Sequence, residues 1–138
     1  MSGPRFLAWG VLLLSLLSGC QTIANRVVGA GQILFQGSSS ERSLSQGIVS
    51  YNGGDYQTAV VLLQHALEDA TLSKSDRINA HKHLAFTYCV SGREKKCQDS
   101  FEHIFAINPD FNLTPAEAGH PVWGPVFRGV QARKMSNP

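Results

Sequence analysis

The stretch SDRINAHKHLAFTYCVSGREKKCQDSFEHIFAINPD, residues 75–110, decides the fold. Leu84, Ala85 and Tyr88 recur at the three-to-four spacing of one helical face. Ser91-Gly92 interrupts that pattern, and glycine tolerates the positive φ that ends a helix. A second stripe follows at Cys97, Phe101, Ile104 and Phe105. Asn108-Pro109 stops it, because proline cannot donate into a continuing helix and restricts the residue before it. The stretch therefore predicts two helices folded back on each other.

The spacing resembles a tetratricopeptide repeat, a helix-turn-helix unit of about 34 residues. Ala85, Tyr88, Gly92, Cys97, Phe101 and Pro109 fill its small, aromatic, turn, small, aromatic and closing positions. The chain departs from the pattern at Ile104, where alanine is usual, and at Glu94, where tyrosine is usual.

Working outward, residues 40–67 read as a weaker hairpin of the same kind. Gly47, Gly54, Tyr56, Ala59, Leu63 and Ala66 take the corresponding positions, and Asn52-Gly53-Gly54-Asp55 is a strong turn signal. Glycine costs a helix about 1 kcal/mol relative to alanine, so Gly47 predicts close approach of a neighbouring helix. The two turn glycines are 38 residues apart, and the excess over the usual period falls in the polar connection Thr71–Ser75. Ser75 or Asp76 is expected to cap the next helix. Two repeats leave apolar faces open, so a cap is needed. Residues 111–134 supply one. Thr114-Pro115-Ala116-Glu117 reads as a capping box with proline at the first helical position. Gly119 ends that turn, and Val126, Phe127, Val130 and Met135 then recur at helical spacing. The expected fold class is all-α: two tetratricopeptide-like hairpins plus a C-terminal capping helix, following a signal peptide and a flexible tether.

The N-terminus carries one arginine, Arg5, then the apolar run Phe6–Leu17, then Leu17-Ser18-Gly19-Cys20. A charged start and a short apolar core read as a signal peptide. The run falls short of the roughly 20 apolar residues that span a bilayer. Leu-Ser-Gly-Cys resembles a bacterial lipobox, which implies cleavage after Gly19, acylation of Cys20 with chains such as palmitate, and membrane anchoring. Several acyl chains on one residue anchor stably where one is marginal. Gln21 stands where inner-membrane retention usually uses aspartate, so the expected location is the outer membrane, with the domain facing the periplasm. Residues 1–19 are then the signal peptide, 20–40 the lipidated cysteine and a Gly/Ser-rich tether, and 41–138 the repeat domain. Ile33-Leu34-Phe35 forms an apolar patch within the tether, either lying on the domain or touching a membrane or partner.

The mature chain keeps 11 of the 12 Lys and Arg against 10 Asp and Glu, with no basic run to suggest nucleic acid. Of three cysteines, Cys89 and Cys97 remain once Cys20 is lipidated. They lie symmetrically about Arg93, near the hairpin turn. A disulfide and two small buried thiols both fit, and an exported compartment favours the disulfide.

No catalytic set is present: no Gly-x-Ser-x-Gly, no phosphate-binding glycine loop and no His-Glu-x-x-His. His81 and His83 point about 200° apart on a helix and cannot share a metal. His65 and His103 read as isolated, each on a second helix. No enzyme activity, cofactor, metal or small-molecule substrate is expected. Binding is expected instead on the inner face formed by the first helix of each hairpin, at Tyr51, Asn79, Lys82 and Phe86. The alternative is that this face packs against Ile33–Phe35. Trp123, held between Pro121 and Pro125, forms with His120 before them a second candidate as a rigid aromatic anchor. Trp123 also suits the plug that an open repeat end requires, and the cost of an uncapped end favours the plug.

The phrase FNLTPAEAGHPVWGPVFR, residues 111–128, with AHKHLAFTYCVSGRE at 80–94 and Cys97, resembles the TssQ-family lipoproteins associated with type VI secretion in proteobacteria. The likeness spans residues 44–128, and its specific part is Gly119-His-Pro-Val-Trp-Gly-Pro125. It implies an accessory outer-membrane lipoprotein near the secretion apparatus, with proteins of that envelope complex as partners and no catalytic residues. The alternative reading is a pilotin-like or assembly-factor lipoprotein of another outer-membrane machine.

Overall fold

A computed structural model describes residues 37–136. The signal peptide, Cys20, the tether up to Gln36 and the Ile33–Phe35 patch lie outside the described residues. Those described contain six helices and no strand: α1 Ser39–Asn52, α2 Tyr56–Glu68, α3 Lys74–Val90, α4 Glu94–Ile107, α5 Pro115–Ala118 and α6 Trp123–Ser136. None is long and apolar enough to cross a membrane.

Local chemistry sets the boundaries. Ser38 and Glu41 form a reciprocal capping box at the start of α1. Ser38–Ser40, expected as the end of a flexible tether, are instead the cap and first turn of the domain. Ser40 is buried, and its hydroxyl donates to Asp69 Oδ2 at 2.7 Å. Asp55 caps α2 by accepting from the Thr58 amide. Gly54 and Gly92, with φ of +79° and +70°, make the two hairpin turns. The α3 cap is Ser73, which accepts from the Asp76 amide, rather than Ser75 or Asp76. The reason lies in Leu72, which is buried and pulls the chain inward just before the helix.

Within the first hairpin, α1 and α2 meet at Gly47. A Cβ there would come within 2.8 Å of Leu63 Cγ, so the expected close approach is present. Leu63, Ala59 and Ala66 are fully buried behind it. A polar corner joins the hairpins. Asp69 accepts from Ser40, from the Thr71 amide at 2.8 Å and from the Thr71 hydroxyl at 2.7 Å. Arg77 Nη2 donates to the Asp69 carbonyl at 2.8 Å and its Nε to the Leu72 carbonyl at 3.2 Å. The Ser40 and Thr71 bonds hold the Asp69 carboxyl down at about 2.

The second hairpin carries the larger core. Phe101 and Ile104 on α4 are fully buried against Leu84, Ala85 and Phe86 on α3. Cys89 and Cys97 stand at disulfide distance across the turn, with Cα atoms 5.2 Å apart. Helix α6 then lays Phe127 and Val130 onto α4, with Phe127 5.2 Å from Phe101 and 5.6 Å from Phe105 between ring centroids. Met135 is not part of this stripe. It is 79% exposed in the last turn of α6.

Closing so short a loop stabilises the folded chain by about 2–3 kcal/mol on the chain-entropy model. Reduction, or the double change Cys89→Ser and Cys97→Ala, is expected to lower the unfolding free energy read from urea curves by that amount. Equal midpoints with and without reductant would show that no bridge forms.

Candidate functional site

The inner face is built by α1 and α3, and a chain of rings crosses it. Tyr56 and Tyr51 stand 6.1 Å apart, and Tyr51 is 5.5 Å from His83 and 6.3 Å from Phe86. Phe86 stacks on Trp123 at 4.3 Å with the planes 20° apart, and Trp123 stacks on His120. Phe86 and Trp123 are 3% and 8% exposed. Phe86, expected as a binding aromatic, and Trp123, expected either as an anchor or as the plug of the open end, are therefore buried on each other. The plug is the role Trp123 takes, and it is the first residue of α6 rather than part of a stiff loop.

The strand of chain between α4 and α6 locks this contact. Trp123 Nε1 donates to the Glu117 carbonyl at 2.8 Å. Glu117 closes the capping box of α5 by accepting from the Thr114 amide through Oε2, while its Oε1 meets Lys82 Nζ at 2.7 Å. Gly124 packs so tightly on the Ala118 carbonyl that a Cβ there has no room. Arg128 Nη1 reaches the same carbonyl at 3.0 Å. His120 Nδ1 accepts from the Val122 amide at 3.2 Å, which fixes its ring flat on the indole. Every residue of the Gly119–Pro125 phrase that carries chemistry thus serves the docking of α6.

Electrostatics follow from this enclosure. Burial would raise the Glu117 carboxyl, but the Lys82 bond and the two from Thr114 outweigh it and hold the group below its ordinary value. Burial raises the Tyr51 hydroxyl, with Tyr56 and Glu117 adding to it. Burial lowers the His83 imidazole, and Lys82 beside it does the same. A carbonyl only accepts, so the His83 Nδ1 that sits 2.9 Å from the Asn79 carbonyl carries the hydrogen. Asn79 itself is half buried. What remains open on this face is Tyr56, 37% exposed, Val122, 45% exposed, and the partly exposed edges of Tyr51, Lys82, His83 and His120.

The opposite face holds a cleft of about 530 Å3 between α2, α3 and α4. Here His81 and His103 stack at 4.8 Å, so His103 is not isolated as its sequence position suggested. His65 also has a partner, Ser43 Oγ at 3.1 Å. Burial lowers His81 to about 4, helped by His103 and Arg77. Gln64 Nε2 donates to the Tyr88 hydroxyl at 3.1 Å on the same wall. Among the described residues no three His, Cys, Asp or Glu side chains are placed to hold a metal.

Sequence reasoning missed both long-range pairs. Lys82 and Glu117 are 35 positions apart, and no periodicity links them. His81 and His103 were readable in principle. Each faces the seam between the hairpin's two helices, once the α3–α4 register is anchored on Gly92. No family model, curated protein or solved structure matches the chain.

Iodide is expected to quench Trp123, the only tryptophan among the described residues, weakly. Lys82→Ala is expected to cost about 1 kcal/mol at pH 7, the upper end for an ion pair that keeps some contact with solvent. Glu117 is depressed when folded, so its share is present above its ordinary value of 4.5 and lost as pH falls below that. Urea curves at pH 7 and pH 3 check this: the gap between variant and parent narrows at pH 3. A gap unchanged between the two would mean that Lys82 acts through packing alone.

Proposed function

We propose that the chain is a non-enzymatic outer-membrane lipoprotein, anchored through Cys20 with its domain in the periplasm. In this reading it is a protein-interaction scaffold or accessory factor of the type VI secretion envelope complex. The observation that carries the reading is the Gly119–Pro125 phrase. It is the specific part of the resemblance to TssQ-family lipoproteins, and three of its residues make defined contacts in the fold. Trp123 stacks on Phe86, His120 on Trp123, and Gly124 allows the chain to close on Ala118. The rest of the domain supports it indirectly. Two helical hairpins with a closed end make a short rigid scaffold, a form suited to protein contact. The lipobox-like Leu17–Cys20 supplies the anchor.

The exposed edges of the inner face are the proposed contact, with Tyr51, Tyr56 and Val122 at the surface and Lys82 and His120 beside them. Photo-crosslinking amino acids placed at Tyr56 and Val122 in intact cells test this. Adducts with a type VI envelope protein are expected. Adducts solely with a component of another outer-membrane machine would replace the proposal by the pilotin-like reading. Cys20→Ala is expected to abolish palmitate labelling and release the protein from the membrane fraction; continued membrane attachment would contradict the anchor.

A further inference from the structure

The second hairpin is fastened at two levels. At its turn, Cys89 and Cys97 stand at disulfide distance. About two helical turns beyond them, His81 of α3 and His103 of α4 face each other across the seam. Their rings stack with centroids 4.8 Å apart and planes 19° apart. His81 is half buried and His103 is exposed. The pair lines the cleft whose third wall is α2.

The stack has no counter-charge of its own. The acids lining the cleft are Glu68 on α2 and Asp99 on α4. Asp99 is held by Lys95, and none of the three ion pairs among the described residues includes an imidazole. The other titratable groups on these walls are Tyr88 of α3 and Lys96 of α4, which sits over the Tyr88 ring. Arg77, one turn before His81, adds a cation whose guanidinium donates to the Asp69 and Leu72 carbonyls. Neutral, the two imidazoles pack as an ordinary aromatic pair. A proton on one enters a half-buried stack with Arg77 and Lys96 as the nearby cations. A proton on both sets two like charges on stacked rings.

We propose that the His81–His103 stack is a proton-sensitive fastener of the second hairpin: neutral rings hold the part of the α3–α4 seam that the cysteines do not reach, and protonation loosens it. Histidine suits this role because its charge changes under mildly acid conditions. Folding moves His81 in the direction this requires. Burial first, then His103, then Arg77, lower it from an ordinary 6.5 to about 4. A histidine lowered on folding takes its proton more readily when unfolded. Its contribution is therefore complete above 6.5 and is lost as pH falls from there toward 4. The device does not depend on the inner face or on the identity of any partner.

NMR of the histidine rings and urea curves across pH test this. His81 is expected to titrate well below 6.5, near 4, and His103→Gln is expected to move that midpoint upward. The unfolding constant is expected to rise as pH falls from about 6.5 to about 4.5, by up to about tenfold per unit for one proton. The rise is expected to be steeper in the parent than in His81→Gln. His83 is also lowered by burial, but it titrates in parent and variant alike and cancels in that comparison. His103 is exposed, so the His103→Gln readout survives even where His81→Gln fails to fold. A His81 midpoint at or above 6.5, a midpoint unmoved by His103→Gln, or equal pH slopes for parent and His81→Gln would overturn the proposal.

Discussion

Two helical hairpins stacked side by side leave an apolar face uncovered, and the stacking of Trp123 on Phe86 covers it. Burying a large side chain contributes about 1.5–3 kcal/mol, and a well-placed aromatic pair adds about 0.5–1.5 kcal/mol. Helix α6 brings Phe127 and Val130 to the same core, so the contact is the edge of a larger closure. The energetic demand explains the polar detail around it. Glu117 satisfies its own helix cap, binds Lys82 and offers its carbonyl to the indole nitrogen. One residue thereby ties α3, α5 and α6 together. Without that closure, the domain would be a fragment of a solenoid with a bare end.

The hairpins were legible in the sequence because their signals are local. Positive-φ glycines at Gly54 and Gly92, the 3.6-residue stripes and the Thr114–Glu117 capping box all lie within one turn or one helix. Gly47 was legible for the same reason: a glycine inside a helix costs stability unless a neighbour needs the space. What escaped depends on contacts between distant elements. Ser73 displaces Ser75 and Asp76 as the cap because Leu72 finds a place in the core. Ser38–Ser40 look like linker, yet they are held by Glu41 and Asp69. Met135 continues the stripe of α6 by spacing, but it stands 79% exposed in the last turn.

The same distinction applies to the site. The sequence places Tyr51, Lys82, Phe86 and Trp123 on faces that converge, and they do converge. Which of them stays open to a partner depends on whether the C-terminal segment returns to the inner face, and no spacing encodes that return. Its consequence is a division within one cluster of rings. Phe86 and Trp123 become core, while Tyr51, Tyr56, His120 and Val122 keep a surface. The inner face thus presents a rigid aromatic edge rather than a deep groove.

Chemical denaturation of Trp123→Ala, followed by circular dichroism, tests the central claim most directly. If the indole closes the stack, the variant loses about 3–5 kcal/mol of stability, the range for truncating a large buried aromatic. A loss below about 1 kcal/mol, the size of an ordinary surface change, would mean that the two hairpins stand without the cap.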